Sequence, residues 1–186
     1  MNKMKKIVFI LTLMLVTTAV SAQKINWVSL EEAVELQKKN PKKIMIDVYT
    51  VWCGPCKMLD KNTFQNQDVA DYVNEHYYAV KFNGEGNEEV TFKNKVFSNP
   101  NYDPAKAKRR NSPHELTREF NVGAYPTIVF LDEDQNIIAP IRGYQTPQKL
   151  ELYLKLFKDD EYKAMTTQEA FREYYSTFKP EFQGDK

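Results

Sequence analysis

The sequence predicts an α/β domain, a sheet flanked by helices. Three observations carry that expectation. Apolar runs of strand length alternate with segments of helical periodicity. Capping signals open the helices where the apolar pattern changes period. The composition, 42% hydrophobic and 13% aromatic, supplies a core for one domain.

The chain opens on Lys3, Lys5 and Lys6, then the apolar stretch Ile7 to Val16, then the small residues Val20-Ser21-Ala22. This pattern predicts a cleavable secretory signal over residues 1–22, with an uncleaved N-terminal anchor as the competing reading. A membrane span needs about 20 apolar residues, more than this run offers. Export would place the protein in a periplasmic or otherwise secreted, oxidising compartment. Cleavage removes three lysines and no acid, taking the net charge from +1 to −2. That charge offers no footprint for nucleic acid.

Ser29-Leu30-Glu31-Glu32 is a capping box opening a helix that ends before Pro41. Ile44 to Tyr49 reads as a buried strand running into Trp52-Cys53-Gly54-Pro55-Cys56-Lys57. A helix should follow from Cys53, with Met58 and Leu59 turned inward. Val69 to His76 reads as a second helix and Tyr77 to Phe82 as a strand. Residues 83–111, punctuated by Gly84, Gly86, Pro100 and Pro104, read as a long surface excursion ending in the basic run Lys106, Lys108, Arg109 and Arg110. Ser112-Pro113-His114-Glu115 predicts a capped helix with Pro at its first position. Strands follow at Pro126 to Leu131 and Ile137 to Arg142, joined by the acidic turn 132–136. Thr146 caps a helix through Phe157, and a last helix covers Thr167 to Phe178. The expected organisation is a signal over 1–22, a domain over 23–160 with the insertion 83–111, and a helical extension over 161–186.

Cys53 and Cys56 are the only cysteines. A pair three residues apart can form a structural disulfide, hold half a metal site, or do redox chemistry. A disulfide closing so small a loop adds little stability. His76 and His114 lack metal-ligand spacing, so no metal site is predicted. Redox chemistry fits best. Cys53, where strand becomes helix, faces unpaired N–H groups that favour a thiolate. Cys56 lies one turn deeper and is expected to be less exposed. Gly54 keeps the approach open and Pro55 stiffens the turn.

The segment Asp47 to Lys57 resembles the active-site segment of the thioredoxin family. Tyr125-Pro126-Thr127 is similar to the family's cis-proline segment, and Gly143 to a glycine after its last strand. Thr63-Phe64-Gln65-Asn66 and Val69 resemble more closely the periplasmic disulfide-reductase domains of that superfamily, such as the C-terminal domain of the membrane thiol–disulfide interchange protein. The resemblance spans about residues 25–157. It implies a thioredoxin fold with a mixed central sheet, an insertion before the helix preceding Pro126, and an extra C-terminal helix.

It also implies roles. Cys53 attacks a substrate disulfide and Cys56 resolves the mixed disulfide. Asp47 accepts the Cys56 proton, and Lys81 neighbours Asp47. Trp52, Gly54, Pro55, Tyr125 and cis Pro126 border the substrate groove. The plainer alternatives are an Asp47 that reaches solvent, a solvent-facing Lys81, an ordinary trans Pro126 and a Trp52 that only packs the core. The basic run 106–110 reads by itself as a solvated loop, with a docking site as the competing reading. Tyr125 and Thr50 depart from the residues usual in thioredoxin, so substrate preference does not carry over.

The expected activity is a protein-disulfide reductase without cofactor, acting on disulfide-containing proteins and recharged by a membrane electron-donor protein. The alternatives are a disulfide oxidase or isomerase, and a binding module whose disulfide is idle.

Overall fold

The computed structural model describes residues 24–184. The expected signal segment lies outside the described residues. Five strands form the main sheet in the order β1 (Trp27–Val28), β3 (Tyr77–Asn83), β2 (Lys43–Tyr49), β6 (Thr127–Leu131) and β7 (Ile137–Arg142). β1 and β2 run parallel to β3, whereas β6 is antiparallel to β2 and β7 to β6. The helices are α1 (Leu30–Lys39), α2 (Gly54–Leu59), α3 (Gln67–His76), α4 (Glu115–Glu119), α5 (Pro147–Lys158) and α6 (Gln168–Thr177). This is a thioredoxin fold.

Side chains alternate across a strand, so β2 sends its residues to two cores. Ile44, Ile46 and Val48 join Leu30, Ala33, Val80, Leu116 and Phe120 on one face. Met45 joins Leu59, Val69, Val73, Ile128, Leu150 and Leu154 on the other. Asp47 shares the pleat of Met45, so it points toward the face that α2 covers.

The first capping box forms at Ser29, whose Oγ accepts the Glu32 N–H at 3.1 Å. The second does not form as read. α4 begins at Glu115 with His114 as its cap, Nδ1 accepting the Leu116 N–H at 3.1 Å. Ser112 is drawn away by Asn99, whose side chain bonds both the Ser112 carbonyl and hydroxyl. Met58 also departs from expectation and is 52% exposed. A π-helical turn over Asp60–Phe64 continues α2, and the buried stripe is Cys56, Leu59, Thr63 and Phe64. Each helical residue advances about 100°, so Met58 lies off the Cys56–Leu59 stripe.

Residues 83–111 are more than a surface excursion. Asn83 closes β3, and a hairpin follows, β4 (Val90–Phe92) and β5 (Lys95–Phe97). Val90, Phe92 and Phe97 are buried in the second core, and the Thr91 N–H donates to Glu31 of α1 at 2.7 Å. The short alternating pattern was hidden by flanking Gly and charged residues.

Beyond α5, the chain returns to the domain. Phe171, Tyr174 and Phe182 pack on the first core. The fully buried Glu151 of α5 accepts the N–H groups of Glu181, at 2.9 and 3.0 Å, and of Phe182, at 2.9 Å. Lys155 Nζ sits 2.8 Å from the same carboxylate. Replacing Glu151 by Leu removes that anchor and leaves Lys155 with Glu181 as its remaining partner. We expect Glu151→Leu to lose about 1–3 kcal/mol and to speed amide exchange at Glu181 and Phe182 far more than in β2. Unchanged exchange at those amides would show that the aromatic contacts, the Lys155–Glu181 pair and the bonds of Phe182 and Gln183 to Gln148, Asn66 and Asp68 hold the tail without Glu151.

Candidate active site

Cys53 and Cys56 form a disulfide with their Cα atoms 5.3 Å apart. Cys53 caps α2, and its Sγ accepts the Cys56 N–H at 3.1 Å. In the reduced protein the same donor would face a thiolate, a charge-assisted bond that favours ionisation. The expectation of an exposed Cys53 above a sheltered Cys56 does not hold in the disulfide form, where they are 2% and 4% exposed. What distinguishes them is the space each meets. Cys53 lines a groove of about 660 Å³ with Trp52, Gly54, Pro55, Ala124 and Tyr125. Cys56 lines a separate cavity of about 210 Å³ with Asp47, Thr50, Asp60 and Lys81.

The strand register builds the second cavity. Asp47 pairs with Lys81 across β2 and β3 and with Ile128 across β2 and β6. Paired residues in neighbouring strands project to the same face, so Asp47 and Lys81 emerge together. Asp47 is 1% exposed. Lys81 is half-buried, its Nζ 3.9 Å from Asp47 Oδ2 and hydrogen-bonded to Asp60. Trp27 and Tyr49 flank the ammonium, their ring centroids 5.3 and 5.6 Å away. Lys81 is therefore no free solvent-facing lysine. Burial pushes Asp47 up from 3.8 to about 7, Lys81 opposes that rise and Asp60 adds to it. Asp47 Oδ1 and Thr50 Oγ1 have no protein hydrogen-bond partner. A carboxylate poised near neutrality beside Cys56 can take or give a proton at physiological pH.

Ala124 and Tyr125 line one side of the groove beside Cys53; Pro126, joined to Tyr125 by a cis peptide bond, is not itself among the lining residues. Thr127 pairs with Val48, so Pro126 stands next to the end of β2, where the chain turns toward the cysteines. Tyr125 donates through its hydroxyl to Gly84 O at 3.2 Å. A side chain at Gly84 would put its Cβ 2.6 Å from the Tyr125 ring, so glycine permits this close approach. Trp52 is half-buried, meets Tyr125 edge-on at 6.2 Å, and donates its indole N–H to Glu85 at 2.7 Å.

Asp60, Glu85 and Arg110 complete these surroundings; Asp60 and Glu85 were missed in the sequence, where Arg110 stands out only within the basic run 106–110. Asp60 lies one turn past Cys56, a spacing that could have flagged it. Glu85 follows β3 by two residues, at the end of the sheet where β2 delivers Cys53. Arg110 carries the signal of the basic run it ends, but nothing in its spacing ties it to Trp52 or the cysteines. Among the described residues, no group of three or more His, Cys, Asp or Glu is arranged to hold a metal.

The model of the thioredoxin-like domain family matches residues 30–158. The chain belongs to this family. It is 32% identical over 120 residues to the thiol:disulfide interchange protein DsbD of Actinobacillus pleuropneumoniae, covering 61% of this chain but 17% of that protein. It is 25% identical over 124 residues to the disulfide bond reductase DsbH of Chlamydia pneumoniae, covering 66% of each. Among solved structures, a thioredoxin-fold protein from Helicobacter pylori superposes with a TM-score of 0.55 at 21% identity, over 74% of this chain and 82% of that one.

The raised Asp47 makes a signed prediction. A carboxyl whose folded value exceeds its unfolded one favours the fold fully below about pH 4 and loses that contribution as pH rises toward 7. Asparagine carries no such dependence. The stability of oxidised Asp47→Asn relative to the unmutated protein should therefore climb by about 1.4 kcal/mol per pH unit between those values, then level off. Urea unfolding at pH 4, 5.5, 7 and 8 checks this. A difference that stays flat would mean that Asp47 ionises normally.

Proposed function

We propose that the chain is a protein-disulfide reductase working outside the cytoplasm. The observation that carries the reading is the division of the two cysteines between two cavities. Cys53 borders the larger groove, with room for a partner segment, and Cys56 borders the smaller cavity lined by Asp47. That division suits two successive exchanges. The Cys53 thiolate attacks one sulfur of a substrate disulfide, forming a mixed disulfide and releasing the first substrate thiolate. Asp47 accepts the Cys56 proton, and the Cys56 thiolate attacks Cys53 Sγ. The second substrate thiolate leaves, and the Cys53–Cys56 disulfide remains. Two electrons pass to the substrate, whose two thiolates take up protons.

The reducing direction is supported by the Gly54-Pro55 dipeptide, which resembles reducing members of the family, and by the similarity to a protein named a disulfide bond reductase. The positive, apolar and small-residue pattern of residues 1–22 supports export. A reductase in an oxidising compartment must be recharged, and a membrane electron-donor protein is the partner this reading requires. Lys81, in this reading, holds Asp47 in place and tempers its rise.

Two measurements test the reading. Cys56→Ser should accumulate a mixed disulfide at Cys53 when offered a disulfide-bonded peptide, and Cys53→Ser should not. The reverse pattern would exchange the cysteines' roles. A redox titration should give a potential near the thioredoxin value of about −270 mV rather than the oxidase value of about −120 mV. A pair that refuses exchange would leave only a binding module. Asp47→Asn should keep the first exchange and slow release, roughly tenfold or more at neutral pH. An unchanged rate would remove Asp47 from the reaction.

A further inference from the structure

The wall of the groove opposite Tyr125 comes from residues 83–111 and the chain just after them. Glu85, Arg110 and Pro113 line it. One oxygen organises it: Glu85 Oε2 accepts the Trp52 indole N–H at 2.7 Å and the Asn111 backbone N–H at 2.8 Å. The second bond fixes the residue next to Arg110, whose guanidinium then lies 4.8 Å from the Trp52 ring centre. Glu85 is buried and spends this oxygen on N–H donors. Arg110 is exposed, and no carboxylate lies within ion-pair distance of it among the described residues. Lys108 and Arg109 beside it are also exposed and make no ion pair within 4 Å among the described residues, although Arg109 adds to the field of Lys106 on Asp103, which holds Lys106 at 3.2 Å. The insertion thus ends in three exposed cations, Lys108, Arg109 and Arg110, against one buried carboxylate, Glu85, in the groove wall, and it sets Arg110 over the residue that precedes Cys53.

We propose that this wall selects substrates that carry an acidic side chain within one or two residues of the disulfide cysteine. The inference rests on the disulfide-exchange reading above and names the substrate class. An extended segment laid along the groove advances about 3.3 Å per residue, so such a side chain comes under Arg110 when its cysteine meets Cys53. A guanidinium stacked on an indole keeps its planar donor edge free for a carboxylate. The fixed geometry lowers the ordering cost that makes exposed ion pairs weak. A basic side chain at the same place meets repulsion from Arg110.

The test uses the full mature chain, reduced, and three disulfide-bonded peptides that differ only in Asp, Asn or Lys beside the cysteine. For the unmutated protein, kcat/KM should fall from Asp to Asn to Lys by about three- to fivefold per step. The spread should shrink as salt rises to about 1 M, where the screening length is about 3 Å. Arg110→Ala should flatten the series, Arg110→Glu should invert it, and Arg110→Lys should retain its order. Equal rates for the three peptides, with the Asn peptide readily reduced, would overturn the acidic preference and leave the reductase reading standing. Failure to reduce even the Asn peptide would overturn the reductase reading, and the preference with it. Should Arg110→Ala fail to fold, the peptide and salt series on the unmutated protein decide alone.

Discussion

Strand β2 is paired along its length with β3 on one side and along Ile44 to Val48 with β6 on the other, and this double pairing sets where each group of the site stands. The parallel register with β3 brings Lys81 beside Asp47. The antiparallel register with β6 brings Pro126 to the end of the strand that delivers the cysteines. A slip of one residue in either pairing would turn Asp47 to the α1 face, away from Cys56. The apolar alternation of β2 resists such a slip, because Ile44, Ile46 and Val48 fill one core while Met45 fills the other. The site is thus held by the same contacts that hold the domain.

Asp47 shows what that placement costs. A unit charge 3.9 Å away attracts a carboxylate by roughly 4 kcal/mol at the effective dielectric of a protein surface. Were that attraction dominant, Asp47 would sit below its ordinary value. It sits near 7, so the loss of water outweighs the lysine. Geometry explains why. Lys81 is shared with Asp60, which lies closer to the ammonium than Asp47 does. One Asp47 oxygen, moreover, has no protein donor. A fully paired carboxylate would stabilise the fold more and exchange protons near neutrality less readily, a familiar conflict at reactive sites.

Much of this was legible in the sequence because it is local or follows strand periodicity. The cysteine spacing, the buried run ending in Asp47-Val48-Tyr49, and Tyr125-Pro126-Thr127 each carry their meaning within a few residues. The misreadings come from interactions that a window cannot see. Met58 was placed inward because an apolar residue after Cys56 suits a helix core, but the stripe that α2 buries runs through Leu59, Thr63 and Phe64. Ser112 has every mark of a helix cap, yet Asn99, thirteen residues earlier, claims it. The hairpin β4–β5 is too short to stand out, and it forms against α1 and the core rather than by its own propensity.

Glu85 and Arg110 mark the limit most clearly. They are separated by a hairpin and a 3-10 turn, and nothing in their spacing links either to Trp52. They meet because the insertion leaves the sheet at the end of β3 and must return there to begin α4. The Gly84 carbonyl enforces the return by accepting the N–H of His114 at 2.9 Å and the hydroxyls of Thr117 at 2.8 Å and Tyr125 at 3.2 Å. With both ends of the excursion pinned at the cysteine-bearing end of the sheet, its last residues lie over Trp52. An insertion elsewhere in the fold could vary in charge without touching the groove. Here its charge becomes part of the wall a substrate meets, because the backbone bonds that close the loop also fix where Arg110 stands.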